Sequence, residues 1–456
     1  MLNLRLKEAA VWTRGVLQGV DADVCGVSTD SRTIKAGELF VALIGETHDG
    51  HDHVAAAADR GAAGAIVSRR VDVDIPQVVV ADTLHALGDL ASAVRAQRDV
   101  TVLGITGSNG KTSVKALAAR ILARHGATHS NAGSFNNEIG LPLTLLGMPR
   151  DTRYAVLEMG AGKPGDIAYL AAIARPRIGL VNNIAPAHLE RMRTLEGIAE
   201  TKGAMYQALP PDGVAVINAD DAFAIYFAGL AGSRRILRFG IDAPADVSAG
   251  DIRLQADGSD FELRTPTGSA HVHLPLPGHH NVANALAAAA LAHAAGAGLD
   301  VIVSGLQSAE AVGGRLLRRE SPQGWVLFDD SYNANPGSAL AAVATLALQP
   351  GERWLVLGNM GELGPDAAAL HARIGRAARD QGIARVYVVG ELAAHAAEAF
   401  GSDAQVFPNQ AALIEALRHD LHAGVSVLVK GSHASHMEKV VAALVGDGKG
   451  DDRHAA

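Results

Sequence analysis

The sequence of 456 residues is 48% apolar, which is enough for several hydrophobic cores and suggests about three domains. Its net charge of −8 argues against nucleic-acid binding, so a polyanionic ligand would need local groups and a metal ion. A single cysteine, Cys25, excludes an intrachain disulfide. No stretch predicts a membrane span or a signal peptide, so we expect a cytoplasmic location. The aromatic content of 4% gives no sign of a large interface, and we expect a monomer.

The pattern of apolar and polar residues changes along the first 300 residues. Residues 1–15 predict an amphipathic helix, and short apolar runs between polar turns continue to residue 98. From residue 99, strand, glycine-rich turn and helix alternate. The predicted strands here are VTVLGIT (100–106), RYAVLEMG (153–160), RIGLVNNI (177–184) and GVAVINADD (213–221). Residues 245–275 alternate polar and apolar side chains, which predicts antiparallel strands, and residues 281–298 predict an alanine-rich helix.

The strand–helix alternation resumes after residue 315. The predicted strands are GWVLFDD (324–330), RWLVLGNM (353–360), ARVYVVG (384–390) and VSVLVKGS (425–432). Apolar runs that alternate with helices are typical of parallel sheets covered on both faces. We therefore predict an α/β protein of three domains: a small N-terminal α/β domain (1–98), a central phosphate-loop domain with a mostly parallel sheet (99–312) and a C-terminal Rossmann-like domain (313–456). The polar, glycine-rich end of the chain, 446–456, is predicted to be disordered.

The segment GITGSNGKTS (104–113) contains the parts of a phosphate-binding loop, although its spacing is unusual. A standard loop has glycine six residues before the lysine, and here Ile105 occupies that position before Lys111. The segment still joins a predicted strand to a predicted helix, so backbone N–H groups and the helix N-terminus can face a phosphate. Lys111 can reach the β- and γ-phosphates of ATP, and the Thr112 hydroxyl can bind Mg²⁺. The predicted nucleotide-binding residues of this loop are Gly107, Ser108, Asn109, Gly110, Lys111, Thr112 and Ser113.

Polar residues follow several predicted strands, where open α/β sheets bind their ligands. Glu158, His188, Asp330 and Lys430 all stand at such ends. A carboxylate at Glu158 suits Mg²⁺, which prefers oxygen ligands. Taken alone, Glu158 is equally consistent with a solvated acid, and His188 with a loop residue. The order of strand, loop, Lys-Thr and helix favours a nucleotide site, and Thr112 is a candidate partner for Glu158 in binding a magnesium ion.

Taken together, the motifs resemble the Mur ligase superfamily, which includes folylpolyglutamate synthase. The segment TGSNGKT has the displaced glycine of that family, and residues 28–54 resemble the uridine-diphosphate-binding domain of the muramyl-peptide ligases. Further matching segments cover nearly the whole chain in family order: 136–146, 157–167, 182–190, 278–288, 329–338, 358–364 and 427–432.

The resemblance implies roles that the residues alone leave open. His188 would help to hold a second Mg²⁺, and Lys202, fourteen residues later, would be the lysine that CO₂ carbamylates into an anionic ligand. Without the resemblance, Lys202 would be assigned to an exposed helix face. Asn281 would contact adenine, although it also suits a helix N-cap. Arg315 would stabilise the transferring phosphoryl group, and Asp330 would bind the ribose hydroxyls.

The resemblance also implies the substrates. The segments SYNANP and GNMGELG resemble those of family members that join D-alanyl-D-alanine to UDP-N-acetylmuramoyl-tripeptide. The implied substrate-binding residues are Ser31, Arg32, Asn136, Asn137, Asn333 and Asn335. Two positions depart from the family pattern. His53 replaces a usual Phe in the UDP domain, where it bears on packing, and His433 replaces a usual Arg near the carboxylate-bearing substrate.

The expected function is an ATP-dependent amide ligase of peptidoglycan precursor synthesis that works through an acyl phosphate. The predicted catalytic residues are Lys111, His188, Lys202 and Arg315, and the predicted metal ligands are Thr112, Glu158, His188 and Lys202. The alternatives are a sibling ligase that adds one amino acid to a UDP-dipeptide, a folylpolyglutamate synthase, and a nucleotide-gated binding module. The SYNANP and GNMGELG segments disfavour the first, the UDP-type region disfavours the second, and the several metal-binding candidates disfavour the third.

Overall fold

The computed structural model describes residues 4–186 and 189–446. Its first region contains a small sheet with helices against it. The elements in order are β1 (Leu4–Arg5), α1 (Leu6–Trp12), β2 (Val16–Gln18), β3 (Asp23–Val24), β4 (Gly26–Ser28), β5 (Glu38–Val41), a 3₁₀ turn (Gly50–His53), α2 (Val54–Asp59), β6 (Gly64–Val67), β7 (Gln77–Val79) and α3 (Thr83–Ala96). The sheet order is β2-β7-β6-β5-β4, parallel except at β2, while β1 pairs with β3.

The central region is built on a larger, mostly parallel sheet. Its elements are β8 (Thr101–Thr106), α4 (Lys111–Leu122), β9 (Thr128–Ser130), α5 (Gly140–Leu146), β10 (Tyr154–Glu158), α6 (Asp166–Ala174), β11 (Ile178–Val181), α7 (Leu189–Met192), α8 (Leu195–Gln207), β12 (Val214–Asn218), α9 (Ala224–Ala231), β13 (Arg235–Gly240), β14 (Val247–Leu254), β15 (Ser259–Thr265), β16 (Gly268–Leu274), α10 (His279–Ala294) and α11 (Leu299–Gln307). The sheet order is β16-β15-β14-β13-β12-β11-β8-β10-β9. Because β8 lies between β10 and β11, the carboxyl ends of these three parallel strands meet at one edge.

The last region contains a second parallel sheet with one antiparallel edge strand. Its elements are β17 (Leu317–Glu320), β18 (Val326–Asp330), α12 (Pro336–Ala347), β19 (Glu352–Gly358), a 3₁₀ turn (Gly364–Asp366), α13 (Ala367–Asp380), β20 (Arg385–Val389), α14 (Glu391–Phe400), β21 (Ala404–Phe407), α15 (Gln410–Asp420), β22 (Val425–Lys430), a 3₁₀ turn (His433–Ser435) and α16 (Glu438–Val445). The sheet order is β17-β18-β22-β19-β20-β21. The pairing of β18 with β22 places their carboxyl ends side by side.

Apolar packing joins the first region to the second. One buried cluster runs from Leu6 and Leu90 into Leu141, Leu157 and Ile167 of the central region. Helix α3 supplies much of this contact by packing against α5 and α6. A separate cluster fills the other face of the central sheet, and two more cover the faces of the last sheet. The first two regions therefore share a core, whereas the last has its own.

The structure confirms the predicted strands of both parallel sheets and the antiparallel strands near 245–275. One detail of the fold differs from the prediction, and three segments lie outside the described residues. A short strand, β1, precedes the predicted first helix. Residues 1–3, 187–188 and 447–456, which include His188 and most of the polar tail, lie outside the described residues. No helix in the described part of the chain is both long and apolar enough to cross a bilayer.

Candidate functional site

A cavity of about 290 Å³ lies where the central region meets the last region. The central region contributes the phosphate loop, the end of β11 and the start of α10. The last region contributes the segment before β17, the loop from β18 into α12 and the end of β22. The cavity contains most of the predicted nucleotide-binding residues: Ser108, Asn109, Gly110, Lys111, Thr112, Ser113, Asn281, Arg315 and Asp330.

The phosphate loop takes its shape from two glycines with left-handed backbone angles. Gly107 has φ of 148° and Gly110 has φ of 78°. A Cβ atom at Gly110 would stand 2.3 Å from Oδ1 of Asn284 and 2.6 Å from Nδ2 of Asn182. Glycine is therefore required at this position both for the backbone angle and for space. The displaced glycine of the sequence thus still forms a tight turn into the N-terminus of α4.

Hydrogen bonds from the loop after β11 hold the phosphate loop in place. The backbone N–H of Ser108 donates to the Asn183 carbonyl at 2.9 Å, and the Asn109 N–H donates to the Asn183 side chain at 2.9 Å. The Ser108 hydroxyl donates to the Ala185 carbonyl at 2.9 Å and accepts from the Ala185 N–H. Asn182 donates to the Asn109 carbonyl at 2.9 Å. The loop is preorganised, because its polar groups are satisfied by a neighbouring strand end.

Positive charge concentrates at the mouth of this loop. Nζ of Lys111 folds back to donate to the Gly107 carbonyl at 2.8 Å. Burial lowers the pKa of Lys111, the charge of Glu158 opposes this shift and the charge of Arg315 adds to it. The Arg315 guanidinium lies over the ring of Tyr332, with Cζ 4.3 Å from the ring centroid. Two cations from different regions therefore face the same space, as the transfer of a phosphoryl group requires.

Glu158 is held firmly at the end of β10 and is 2% exposed. Nδ2 of Asn136 donates to its Oε1 at 2.7 Å, while the side chain of Asn131 bonds both the N–H and the carbonyl of its backbone. Oε2 is buried and has no hydrogen-bond partner among the described residues. A buried carboxylate oxygen without a hydrogen bond suits a hard cation such as Mg²⁺. The residues present therefore fit the predicted metal.

Lys202 is 1% exposed, so it does not lie on the solvated face of α8. Burial lowers its pKa well below the usual range, and the nearby charge of Lys111 lowers it further. Carbamylation needs a neutral amine, so this environment suits it.

Asp330 forms a buried ion pair with Lys430 across β18 and β22. Nζ of Lys430 lies 2.5 Å from Oδ2 of Asp330 and 3.0 Å from the Asn333 carbonyl, and Lys430 is 2% exposed. Burial raises the pKa of Asp330, and the charge of Lys430 opposes this shift. The pairing joins residues 100 apart in sequence and leaves Oδ1 of Asp330 without a hydrogen bond to Lys430.

The start of α10 provides a polar wall of the cavity. Asn281 is buried, and its Nδ2 donates to the Pro277 carbonyl at 2.8 Å. It is not the N-cap that the sequence suggested, because α10 begins at His279 and its N-cap is Gly278. Asn284 accepts from Asn182 and so ties α10 to the end of β11. His280 also lines the cavity, and burial lowers its pKa to about 4.

Asn335 has two structural contacts in the loop before α12. Its Oδ1 accepts from the Ser338 N–H at 2.9 Å and caps the helix, with Pro336 at the first helical position. Its Nδ2 donates to Oδ1 of Asn109 at 2.7 Å, a direct bond between the last region and the phosphate loop. Asn333 lines the same cavity. Both asparagines therefore stand beside the nucleotide loop.

The remaining predicted residues lie elsewhere. Arg32 is exposed and pairs with Asp30 at 2.8 Å. Within residues 4–186 and 189–446, no hydrogen bond or ion pair links Ser31 or Arg32 to the cavity. Oδ1 of Asn137 accepts from the Gly140 N–H at the start of α5.

The two departures from the family pattern differ in their surroundings. His53 is exposed, so the expected effect of this departure on core packing is not found. The His433 ring lies 5.8 Å from the Tyr332 ring, close to Arg315. The second departure therefore stands near the cavity.

Two lysines close to the site were not among the predicted site residues. Lys115 is buried 3.5 Å from Oε2 of Glu158, and Lys430 neutralises Asp330. Lys115 stands four residues after Lys111 on α4, so both lysines lie on the same helix face. This spacing could have identified Lys115 as a site candidate from the sequence. The pairing of Lys430 carried no local signal, because it depends on which strands become neighbours.

Comparison with known proteins agrees with this geometry. Family models match residues 23–95 (Mur ligase family, catalytic domain), 105–292 (Mur ligase middle domain) and 314–433 (Mur ligase, glutamate ligase domain). The chain is 44% identical to the UDP-N-acetylmuramoyl-tripeptide–D-alanyl-D-alanine ligase of Escherichia coli (strain K12), over 98% of this chain and 100% of the relative.

Solved structures give the same result. A MurF crystal structure from Acinetobacter baumannii is similar with a TM-score of 0.92 and 36% identity, covering 98% of this chain and 99% of that chain. A MurF ligase from Thermotoga maritima in complex with ADP is similar with a TM-score of 0.82 and 28% identity, covering 91% and 96%. The three-domain α/β architecture expected from the sequence is thereby confirmed, and the chain belongs to the Mur ligase family.

Proposed function

We propose that this protein is the ATP-dependent ligase that joins D-alanyl-D-alanine to the C-terminal carboxylate of UDP-N-acetylmuramoyl-tripeptide, in peptidoglycan precursor synthesis. The observation that carries the assignment is the end-to-end match to a relative of that name at 44% identity. The cavity adds physical support, because cationic groups from two regions converge on one phosphate loop. Forming an amide from a free carboxylate in water is uphill, so such a reaction needs ATP.

ATP would lie with its phosphates against the loop of residues 107–113. Backbone N–H groups and the N-terminus of α4 favour the negative charge, and Lys111 would move from the Gly107 carbonyl to the β- and γ-phosphates. Asn281 would stand beside the adenine. Asp330 would accept hydrogen bonds from the ribose hydroxyls through Oδ1, since Oδ2 is engaged by Lys430. Arg315 would contact the transferring phosphoryl group.

Thr112, Glu158, His188 and a carbamylated Lys202 are the proposed holders of Mg²⁺. When bound, Mg²⁺ supplies charge neutralisation on the phosphate oxygens and on the developing charge of the phosphoryl group. Support comes from the buried Oε2 of Glu158 and from the desolvated amine of Lys202. A neutral Lys202 amine can react with CO₂ to give a carbamate, which releases one proton and leaves one negative charge shared by two oxygen donors.

The reaction then divides into two transfers. A carboxylate oxygen of the tripeptide attacks the γ-phosphorus, the bond to the β-phosphate oxygen breaks, and ADP leaves. The amine of D-alanyl-D-alanine attacks the carbonyl carbon of the acyl phosphate and loses its proton, and the bond to the phosphate oxygen breaks, which releases phosphate and leaves the amide. Lys111 and Arg315 stabilise the charge in the first transfer.

The last region would deliver the amine and keep water out. Asn333 and Asn335 line the cavity beside the phosphate loop, where the dipeptide must approach. Closure about the segment 312–320 would exclude water that otherwise hydrolyses the acyl phosphate. The UDP end would be held by the first region, near Ser31 and Arg32, and the tripeptide near Asn136 and Asn137. We propose domain boundaries near 98 and 312, a cytoplasmic location and a monomeric state.

A substrate panel tests the assignment. Phosphate release would be measured with UDP-dipeptide and with UDP-tripeptide, each offered D-alanyl-D-alanine or single amino acids. Only UDP-tripeptide with D-alanyl-D-alanine should give rapid release that matches amide formation. Release that proceeds equally with UDP-dipeptide and one amino acid would identify a sibling ligase, and release indifferent to either substrate would refute ligation.

A further inference from the structure

Lys115 is a buried cation that the proposed mechanism does not use. It lies one turn after Lys111 on α4 and is 5% exposed. Its Nζ donates to the Asn131 carbonyl at 2.9 Å and to the Gly133 carbonyl at 2.6 Å. The same nitrogen stands 3.5 Å from Oε2 of Glu158. A buried ammonium is costly unless it is paired, so these three contacts need a joint explanation.

The carboxylate of Glu158 is asymmetric in its contacts. Oε1 has a hydrogen bond from Asn136, whereas Oε2 has the ammonium of Lys115 at 3.5 Å and no hydrogen bond within the described residues. The 3.5 Å separation is longer than a charge-assisted hydrogen bond, which is about 2.8 Å. Lys115 therefore neutralises Glu158 without saturating the oxygen on which a metal would bind.

The two carbonyl contacts of Lys115 reach a segment that also touches Glu158. Asn131 bonds both backbone groups of Glu158 through its side chain, and Asn136 bonds Oε1. Lys115 thus closes a ring of contacts from α4 to residues 131–136, from there to the end of β10, and back to α4. The same ammonium therefore contacts both the Glu158 carboxylate and the segment that leads to Asn136.

We propose that Lys115 is a positioning residue for the metal-binding carboxylate. It is the partner of Glu158 when no Mg²⁺ is bound, it keeps Oε2 directed at the metal position, and Mg²⁺ takes over as the main partner of Glu158 on binding. The inference rests on the proposed metal-binding role of Glu158. It adds a residue outside the predicted ligand set and assigns it to the metal-free state.

The test is thermal unfolding of the full-length protein, first in EDTA and then with Mg²⁺ and a non-hydrolysable ATP analogue. Lys115→Met removes the charge and keeps the length of the side chain, so the melting temperature in EDTA should fall by on the order of 5 °C, because a buried carboxylate loses its partner. Adding Glu158→Gln to Lys115→Met should recover at least half of that loss, because no buried charge then remains. Mg²⁺ with the analogue should likewise reduce the loss by at least half.

Arg120→Met is the matched control. It removes a cation from the same helix, where Arg120 is half-buried and pairs with Glu310 rather than Glu158. Its effect should be the same in EDTA and with Mg²⁺, and independent of Glu158→Gln. If Lys115→Met does not fold, the double variant with Glu158→Gln should still fold, because no buried charge then remains; failure of both variants to fold would count against the inference.

Two results would overturn the inference. One is a loss in Lys115→Met that Glu158→Gln leaves unchanged, and the other is a loss that Mg²⁺ and the analogue do not reduce. Either would make Lys115 a structural tether of the 131–133 carbonyls alone. The ligation assay on the unmodified protein is independent of both results, so failure of the inference is distinguishable from failure of the proposed function.

Discussion

The hydrogen bond between Asn335 and Asn109 predicts a measurable coupling between the amine-delivering region and the phosphate loop. Asn335 caps α12 through Oδ1 and reaches Asn109 through Nδ2 at 2.7 Å. Asn335→Ser keeps a good N-cap but is too short to reach Asn109, so it removes only the bond between regions. A hydrogen bond of this kind contributes about 1 kcal/mol, so kcat/KM for D-alanyl-D-alanine should fall about fivefold.

Two further variants separate the contributions. Asn109→Ala removes the acceptor and should match Asn335→Ser, and the double variant should lose no more than either single variant. Asn335→Ala should add a loss of about 1 kcal/mol in the free energy of unfolding of the last region, measured by denaturant titration, because the cap is also removed.

Two results would contradict the proposed coupling between Asn335 and Asn109. Additive losses in the double variant would mean that the two amides act separately. A loss in Asn335→Ser more than tenfold greater than in Asn109→Ala would mean that the main partner of this amide is the dipeptide.

Three other predictions follow from the site. Lys202→Gln should abolish ligation, and a carbamate signal should appear in ¹³C NMR with labelled bicarbonate in the unmodified protein but not in this variant; a signal in both would place the carbamate elsewhere. Gly110→Ala should weaken ATP binding at least about tenfold in calorimetry, because its Cβ meets Asn284 at 2.3 Å and φ is 78°; unchanged affinity would refute the required turn. Burial lowers the pKa of His280 to about 4, so the unfolded chain binds a proton below about pH 6.5 that the folded chain refuses until about pH 4. The free energy of unfolding should therefore fall by at most about 3 kcal/mol as the pH is lowered from about 6.5 to about 4. In denaturant titrations over this pH range, His280→Gln should make the fall smaller. His279→Gln, which changes the exposed neighbour, should leave it unchanged.

The sequence alone predicted the α/β class, the strands of both parallel sheets and the glycine-rich turn into the helix that starts at Lys111. These features are local: alternation of short apolar runs with helices, and glycines before Lys111 that only a tight turn requires. Glu158 was a candidate because it ends an apolar strand in a sheet of parallel strands, where carboxyl ends meet, although this position alone fitted a solvated acid equally well. The roles of Lys202 and Arg315 came from family resemblance, since a lysine in a helix carries no sign of its burial.

The contacts that hold the site together could not be predicted from the sequence. Lys430 meets Asp330 because β22 inserts between β18 and β19, an arrangement that no local pattern encodes. Lys115 was not among the predicted site residues, and its approach to Glu158 depends on β10 lying beside β8. The shared core of the first two regions likewise depends on α3 packing against helices from a later part of the chain.

The order of residues along the chain thus determined what kinds of groups would stand at each strand end. The tertiary structure decided which of those groups became partners, how deeply each was buried and therefore how each pKa shifted. The physical reason is range. Backbone angles and apolar periodicity act within a few residues, whereas charge pairing and desolvation depend on strands and helices that only the complete fold brings within a few ångströms.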